Sequence, residues 1–153
     1  MISEVKLQTL IDKDTIANIR IRFAHYIDTQ DWKRLTALFT DRIDVDYSDF
    51  GIPAQTMTKE EFVTLIRNTL TCEGVKTQHY ISNFNISVEG DRATSIAYVY
   101  ARYYLPTEQG GNAFDLNGFY TENLVHTESS WQITAIKLSI RWTQGNPEEV
   151  LVM

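Results

Sequence analysis

The second half of the sequence constrains the fold most, because after Gly74 it consists of long runs of residues that favour β-strands. Each run is rich in Val, Ile, Thr, Tyr and Phe. Short segments containing Gly, Asn, Asp or Ser separate the runs and indicate turns. The four runs cover residues 76–88, 93–105, 113–127 and 131–143. This pattern predicts four long strands that follow one another as an antiparallel meander.

The first third of the sequence has helical spacing instead. Apolar residues recur every three or four positions and predict an amphipathic helix over residues 12–29. The recurring positions are Ile16, Ile19, Phe23 and Ile27. After a short break, Asp31 can cap a second helix, which we predict over residues 32–39.

Between these two parts of the sequence, the spacing of apolar residues changes twice. Residues 42–50 alternate apolar and polar side chains and predict a half-buried strand that ends at Gly51. Thr58 and Glu61 have the spacing of a capping box and open a third helix, which Gly74 ends. The order of elements predicts one α+β domain over residues 1–153, with N-terminal helices packed on a strongly curved, mostly antiparallel sheet. Such a sheet leaves a concave mouth, where we expect a ligand pocket.

Charge and motifs exclude several classes of protein. The formal net charge is −6 and there is no run of Lys or Arg, which argues against nucleic acid and anionic membranes as partners. No signal peptide or long apolar stretch precedes or follows the strands, and Cys72 is the single cysteine, so we expect a cytoplasmic protein. No HxH, HExxH, GxSxG or GxGxxG motif occurs, so neither a metal nor another cofactor is expected.

Two residues stand out as candidates for chemistry. Asp28 falls on the inner line of the first helix, where a carboxylate is either functional or simply a solvated helix end. His79 opens the first long strand and is either a general base held by a carboxylate or a satisfied core histidine. Strict alternation places His79 on the face opposite to the more apolar set, so we predict that a β-bulge is needed to turn His79 inward. That set is Tyr80, Phe84, Ile86 and Val88.

Tyrosine is the third notable feature. Aromatic residues make up 12% of the chain, with eight tyrosines. A phenol that points into a cavity contributes apolar area and can polarise a carbonyl group. We expect some of these aromatic residues to line the pocket, namely Tyr98, Tyr103, Tyr120 and Trp142.

Four short motifs together resemble the SnoaL-like domain of the nuclear-transport-factor-2-like superfamily, and within it the scytalone-dehydratase-like group. They are Asp28-x-x-Asp-Trp32, Asp46-Tyr47-x-x-Phe50, Thr77-Gln-His79 and Ser139-Ile-Arg-Trp142. The resemblance runs from about residue 10 to residue 147 in the same order. It implies a cone-shaped α+β barrel with a deep pocket.

The resemblance also implies roles for individual residues. Asp28 and His79 correspond to the acid/base pair of scytalone dehydratase, Tyr47 to the tyrosine that orients a carbonyl-polarising water, and Phe50 to a pocket-wall aromatic. The implied activity is a cofactor-independent dehydration or isomerisation at the carbon α to a carbonyl. His79 would remove the proton and Tyr47 would stabilise the enolate.

This chain departs from that group at the positions that orient the substrate. Ile27 stands where the group has a tyrosine, and Gly118 and Tyr120 stand where it has a serine and an asparagine. A second pocket histidine is replaced by the tyrosines and Arg102 of residues 98–104. The resemblance therefore implies the chemistry on a small hydrophobic molecule that is cyclic, aromatic or steroid-like, and not scytalone itself.

Two other functions remain open. The chain could be a non-catalytic module that binds a small molecule, because a fold does not fix a function. It could also be the small subunit of a ring-hydroxylating oxygenase, which shares the cone. By analogy with the superfamily we expect a homo-oligomer, either a dimer or a trimer.

Overall fold

A computed structural model describes residues 3–128 and 130–152, which form three α-helices and one six-stranded sheet. The helices are α1 (Glu4–Asp28), α2 (Trp32–Thr36) and α3 (Lys59–Thr69). The strands are β1 (Phe39–Tyr47), β2 (Ile52–Thr58), β3 (Lys76–Glu89), β4 (Arg92–Leu105), β5 (Asn112–His126) and β6 (Trp131–Gln144). Short 3₁₀ turns cover Ser48–Phe50 and Pro147–Glu149.

The sheet has the strand order β2-β1-β6-β5-β4-β3. Strands β3 to β6 form the predicted antiparallel meander, and β1 joins it in parallel beside β6. The predicted α+β architecture with helices on a curved sheet is confirmed. The sheet is curled but not closed, because β2 and β3 each have a free edge.

Helix α1 lies against the sheet with the face that the sequence predicted. Ile16, Ile19, Phe23 and Ile27 are all buried. The helix begins eight residues before the predicted start, at Glu4, with the hydroxyl of Ser3 as its N-cap. The spacing did not reveal this first part because its apolar residues, Val5 to Ile11, face solvent instead of the core.

Other elements also differ from the prediction. Strand β1 covers Phe39–Tyr47 instead of residues 42–50, and α3 ends at Thr69 instead of at Gly74. Strand β2 was not predicted, because its side chains are mostly exposed and it contains Pro53, as is typical of an edge strand. Helix α2 ends at Thr36, and Phe39, which we expected to end that helix, begins β1. The predicted capping box of α3 is confirmed, with reciprocal hydrogen bonds between Thr58 and Glu61 of 2.8 and 3.2 Å.

The predicted β-bulge is present in β3. The pairing with β4 shifts between Ser82 and Asn85, and Asn83 lies in the left-handed region with a φ of 55°. His79 before the bulge and Phe84 after it therefore both turn inward, although an odd number of positions separates them. The bulge thus brings His79 to the same face as Phe84, whereas Tyr80, which the alternation placed with Phe84, lies on the other face and is 54% exposed.

Within the described part of the chain, no helix has the length and apolar character needed to span a membrane.

Candidate active site

Asp28 and His79 form a hydrogen-bonded pair where the end of α1 meets the start of β3. Asp28 Oδ1 lies 2.6 Å from His79 Nδ1, and Asp28 Oδ2 accepts a hydrogen bond of 2.9 Å from the His79 backbone N–H. The hydroxyl of Thr77 donates to Oδ1 at 2.8 Å. Three donors therefore surround a carboxylate that the helix dipole alone would disfavour.

These contacts determine the charge of the pair. Burial raises the pKa of the Asp28 carboxyl, but the hydrogen bonds and charge of His79, with the hydroxyl of Thr77, bring its pKa below the ordinary value. An ionised Asp28 can only accept hydrogen bonds, so Nδ1 of His79 carries the proton. Nε2 is then left unprotonated when the ring is neutral and is available as a base.

His79 contacts Asp28 and also lines a cavity. Its side chain is 2% exposed, and it lines an apolar cavity between the helices and the concave face of the sheet. About 50 Å³ of this cavity is open to the centres of water molecules. The other lining residues are Ile27, Tyr47, Phe50, Ile52, Phe62, Leu65, Ile66, Thr69, Leu70, Tyr103, Leu116, Tyr120 and Leu138.

Three tyrosines place their phenols at this cavity. The Tyr103 hydroxyl lies 3.5 Å from His79 Nε2, at the edge of hydrogen-bonding distance. Burial raises the pKa of all three phenols, Tyr47, Tyr103 and Tyr120. They are therefore protonated at neutral pH and can donate hydrogen bonds to an oxygen atom of a ligand.

The structure brings together most of the residues predicted for the site. His79, Tyr47, Phe50, Tyr103 and Tyr120 share the cavity, and Asp28 supports His79 from behind. We did not predict the contribution of α3 and its C-cap, whose residues 62, 65, 66, 69 and 70 line the cavity. Their spacing along one face of that helix was the available signal.

Tyr98 and Trp142 do not line this cavity, so their predicted placement is corrected. Tyr98 is 50% exposed and Trp142 is 60% exposed, and both border a groove on the opposite face of the sheet. In β4, Val99 and Ala101 point inward, so alternation directs Tyr98 outward. The pairing of β5 with β6 shifts between Asn117 and Gly118, and the extra residue lies on β6 beside Trp142.

A buried ion pair behind the tyrosines was not predicted. Arg20 of α1 and Glu122 of β5 are 0% and 2% exposed, with Nη1 2.5 Å from Oε1. The signal in the sequence was their position. Arg20 lies one helical turn from Ile16 and Ala24, and Glu122 lies two positions after Tyr120, on the same inward face of β5. Both were therefore on faces that had to be buried.

No three His, Cys, Asp or Glu side chains of residues 3–128 and 130–152 converge in a group able to hold a metal ion. The expectation of chemistry without a cofactor stays a prediction.

Known proteins share this fold. A curled sheet with helices over its concave face is the α+β fold of the nuclear-transport-factor-2-like superfamily. The sequence profile of the SnoaL-like domain matches residues 8–137. The chain therefore belongs to the SnoaL-like domain family, and the resemblance found from its motifs is confirmed.

Individual relatives extend over nearly the whole chain. The scytalone dehydratase-like protein Arp1 of Metarhizium robertsii is 28% identical over 149 residues, which cover 91% of this chain and 87% of that protein. The crystal structure of the protein Kfla4162 from Kribbella flavida is 24% identical with a TM-score of 0.81, covering 92% of this chain and 97% of that one. A candidate aromatic ring hydroxylase from Novosphingobium aromaticivorans is 25% identical with a TM-score of 0.77, covering 92% and 96%.

Proposed function

We propose that the cavity carries out acid/base chemistry at the carbon α to a carbonyl group, as a dehydratase-like lyase or an isomerase that needs no cofactor. Asp28 and His79 are the proton-transfer pair, and Tyr47 polarises the carbonyl. The substrate is a small hydrophobic molecule that is cyclic, aromatic or steroid-like. The observation that carries this proposal is the His79 imidazole, held on Asp28 at Nδ1 while the ring lines the apolar cavity.

The family supports the broader class. SnoaL-like proteins and the similar scytalone dehydratase-like protein are consistent with a lyase or isomerase that acts on small molecules. Because that relative resembles a dehydratase, dehydration is the first reaction to consider for this cavity.

In the dehydration of a β-hydroxy ketone, His79 acts first as the base and then as the acid. His79 Nε2 accepts the α proton, and the electron pair of the broken C–H bond forms an enolate whose oxygen receives a hydrogen bond from Tyr47. The enolate then expels the β-hydroxyl group, which takes the proton back from the imidazolium and leaves as water. Asp28 stays ionised and stabilises the imidazolium between the two steps.

The size of the cavity narrows the substrate class. The space open to the centres of water molecules is only about 50 Å³, so a compact ligand of one or two rings suits the cavity better than a larger one.

Two assays with simple cyclic ketones test the proposal. The first follows the dehydration of 3-hydroxy-1-tetralone and 3-hydroxycyclohexanone by absorbance, and the second follows exchange of the α protons of 1-tetralone with deuterium by NMR. Proton exchange reports on His79 even when no group leaves. We expect the wild-type protein to catalyse exchange.

The histidine variants identify the base. We expect His79→Ala to lower the exchange rate about 10²–10⁴-fold, because it removes the only base of the pair that faces the cavity. His25→Ala is the matched control, because His25 is exposed on α1 and should leave the rate unchanged. A His79→Ala variant that retains the wild-type rate would contradict the proposal.

The alternatives give different results. A binding module would bind 1-tetralone tightly without catalysing exchange. The similarity to a candidate aromatic ring hydroxylase is the reason to test the alternative that the chain is the small subunit of a ring-hydroxylating oxygenase. Such a subunit would co-purify from its native source with a larger metal-carrying chain.

A further inference from the structure

We propose that Arg20 is a positioning residue that holds a fixed positive charge behind Tyr120 and Tyr47, so that this wall of the cavity selects ligands that carry an oxyanion. The ligand class is an enolate or a phenolate of one or two rings. This inference rests on the proposed function, because it specifies what stabilises the enolate in that reaction.

The first argument is the burial of an incompletely paired cation. The Arg20 guanidinium is fully buried and is bonded to Glu122 through Nη1. Its Nε and Nη2 atoms have no hydrogen-bond partner among the described residues. A buried ion pair is often no more stabilising than an apolar pair of the same volume, so core packing alone gives no reason for this charge.

The second argument is the place of the guanidinium. Arg20 Cζ lies 3.7 Å from the ring centroid of Phe23 and 3.7 Å from that of Tyr120, so the cation is held between two aromatic rings. Tyr120 also lines the cavity, and its ring centroid is 6.4 Å from that of Tyr47. A single aromatic side chain therefore separates the buried cation from the ligand space.

The third argument is the orientation of the ion pair. Burial raises the pKa of the Tyr120 phenol, Arg20 lowers that pKa, and Glu122 raises it by less than Arg20 lowers it. At Tyr47, burial and then Tyr120 raise the pKa, Arg20 lowers it, and Glu122 raises it by less than Arg20 lowers it. The positive charge of the pair therefore outweighs its negative charge at both phenols, although the net charge of the pair is zero.

The chemical consequence concerns charge that develops on an oxygen atom. A phenol with a cation behind it is a stronger hydrogen-bond donor, and a water-poor cavity screens that cation weakly. A neutral ketone gains little from this arrangement, whereas its enolate gains much. The wall is thus suited to the intermediate and to phenolic products more than to the substrate.

Binding of 4-nitrophenol tests the proposal directly, because the absorbance of this probe distinguishes its neutral and ionised forms. The measurement is the pKa of the bound probe, obtained by pH titration at saturating protein. The titration uses a His79→Ala background, so that the imidazole cannot serve as the partner of the phenolate. We expect the bound probe to ionise at a lower pH than the free probe.

Variants of the ion pair should shift this pKa in opposite directions. Arg20→Met combined with Glu122→Leu removes both charges and keeps the volume. We expect this double variant to raise the pKa of the bound probe, with at least a tenfold loss of affinity for the phenolate. Glu122→Gln leaves the cation uncompensated and should lower the pKa of the bound probe further. Arg102→Met combined with Asp115→Leu is the matched control, because that ion pair lies on the outer side of the sheet.

Each outcome decides the question. A folded Arg20→Met, Glu122→Leu variant that binds the phenolate as well as the unaltered pair would overturn the proposal and assign the pair to the core alone. A protein that binds only neutral 4-nitrophenol, or none, would overturn it as well. If Glu122→Gln fails to fold, Arg20→Lys replaces it, and retention of most of the phenolate affinity is then expected. These results are independent of proton exchange by His79, so the failure of either proposal is recognised separately.

Discussion

The carboxylate of Asp28 is placed where a helix tolerates it least. It ends α1, where the helix dipole is negative, and its side chain is only 18% exposed. Two donors from His79 and one from Thr77 compensate for this position. These donors hold Asp28 as an anion at a position that disfavours one, which is consistent with its proposed role beside His79.

Asp28→Asn tests that purpose through activity. The amide can still fill the space, but it cannot stabilise an imidazolium, and it can hold His79 in the wrong tautomer. We expect a folded protein whose rate of α-proton exchange is at least about 100-fold lower than that of the wild-type protein. Asp31→Asn on the neighbouring turn is the control, and exchange at the wild-type rate in Asp28→Asn would refute the role.

The same variant gives a second prediction through stability. The pKa of Asp28 is lower in the folded protein than its ordinary value of 3.8, so its contribution to the free energy of unfolding is present above that pH and is lost as the pH falls through the folded pKa. We expect the difference in unfolding free energy between wild type and Asp28→Asn to shrink from about pH 5 to about pH 2. Urea titrations at several pH values measure it, and a constant difference would show that the charge does not matter.

At the scale of elements, the bulge in β3 allows His79 and Phe84 to face the same side of the sheet. Asn83 adopts a positive φ that is accessible to Asn and Gly but strained for a β-branched residue. We expect Asn83→Gly to keep both fold and exchange activity. Asn83→Val should lower the free energy of unfolding by about 1–3 kcal/mol, measured by urea titration.

The control for this prediction is Asn85→Val, which follows the bulge on the same strand and is also exposed. If both valine variants lower the free energy of unfolding equally, the decrease comes from the loss of an exposed asparagine and not from strain at the bulge.

A glycine, Gly118, lies at one of the places where the pairing of β5 with β6 shifts. A Cβ atom at Gly118 would lie only 2.0 Å from the carbonyl oxygen of Ser139. We expect Gly118→Ala to destabilise the protein by about 1–3 kcal/mol, because backbone has to move to admit the methyl group. Thermal unfolding measures this loss. Ser139→Ala, which alters the side chain but not the carbonyl, should be nearly neutral, and a neutral Gly118→Ala would contradict the prediction.

At the scale of the whole molecule, the outer face of the sheet carries aromatic residues that the cavity does not use. Tyr80, Tyr98 and Trp142 border one groove and are each at least half exposed. The expected homo-oligomer would bury such a surface between two copies of the chain. We therefore expect Trp142→Lys to lower the molar mass measured by light scattering. Leu7→Lys on α1 is the control, because it adds the same charge at another exposed apolar residue.

The sequence predicted much of this molecule because local patterns determine much of it. The buried line of α1, the capping box at Thr58 and the bulge before Phe84 all follow from side-chain spacing. The partnership of Asp28 with His79 came instead from the resemblance, since nothing in either segment reveals the other. The two residues are 51 positions apart and meet only when β3 packs beside the end of α1.

The features that were missed depend on long-range geometry. Tyr98 and Trp142 were placed in the cavity because composition does not tell which of two alternating faces is inward. Arg20 and Glu122 each occupied a buried face, but their pairing across 102 residues has no local signature. Strand β2 escaped notice because an edge strand exposes polar side chains.

The parallel pairing of β1 with β6 also has a consequence for synthesis of the protein. Strands β3 to β6 can form hairpin by hairpin as the chain leaves the ribosome, but β1 meets its parallel partner only after the last strand emerges. Glu122 is synthesised 102 residues after its partner Arg20, an interval of roughly 5 to 20 seconds. During that interval the sheet that covers the apolar face of α1 is incomplete. We therefore expect nascent chains that stall before β6 to bind chaperones, and the cavity to form in the last step of folding.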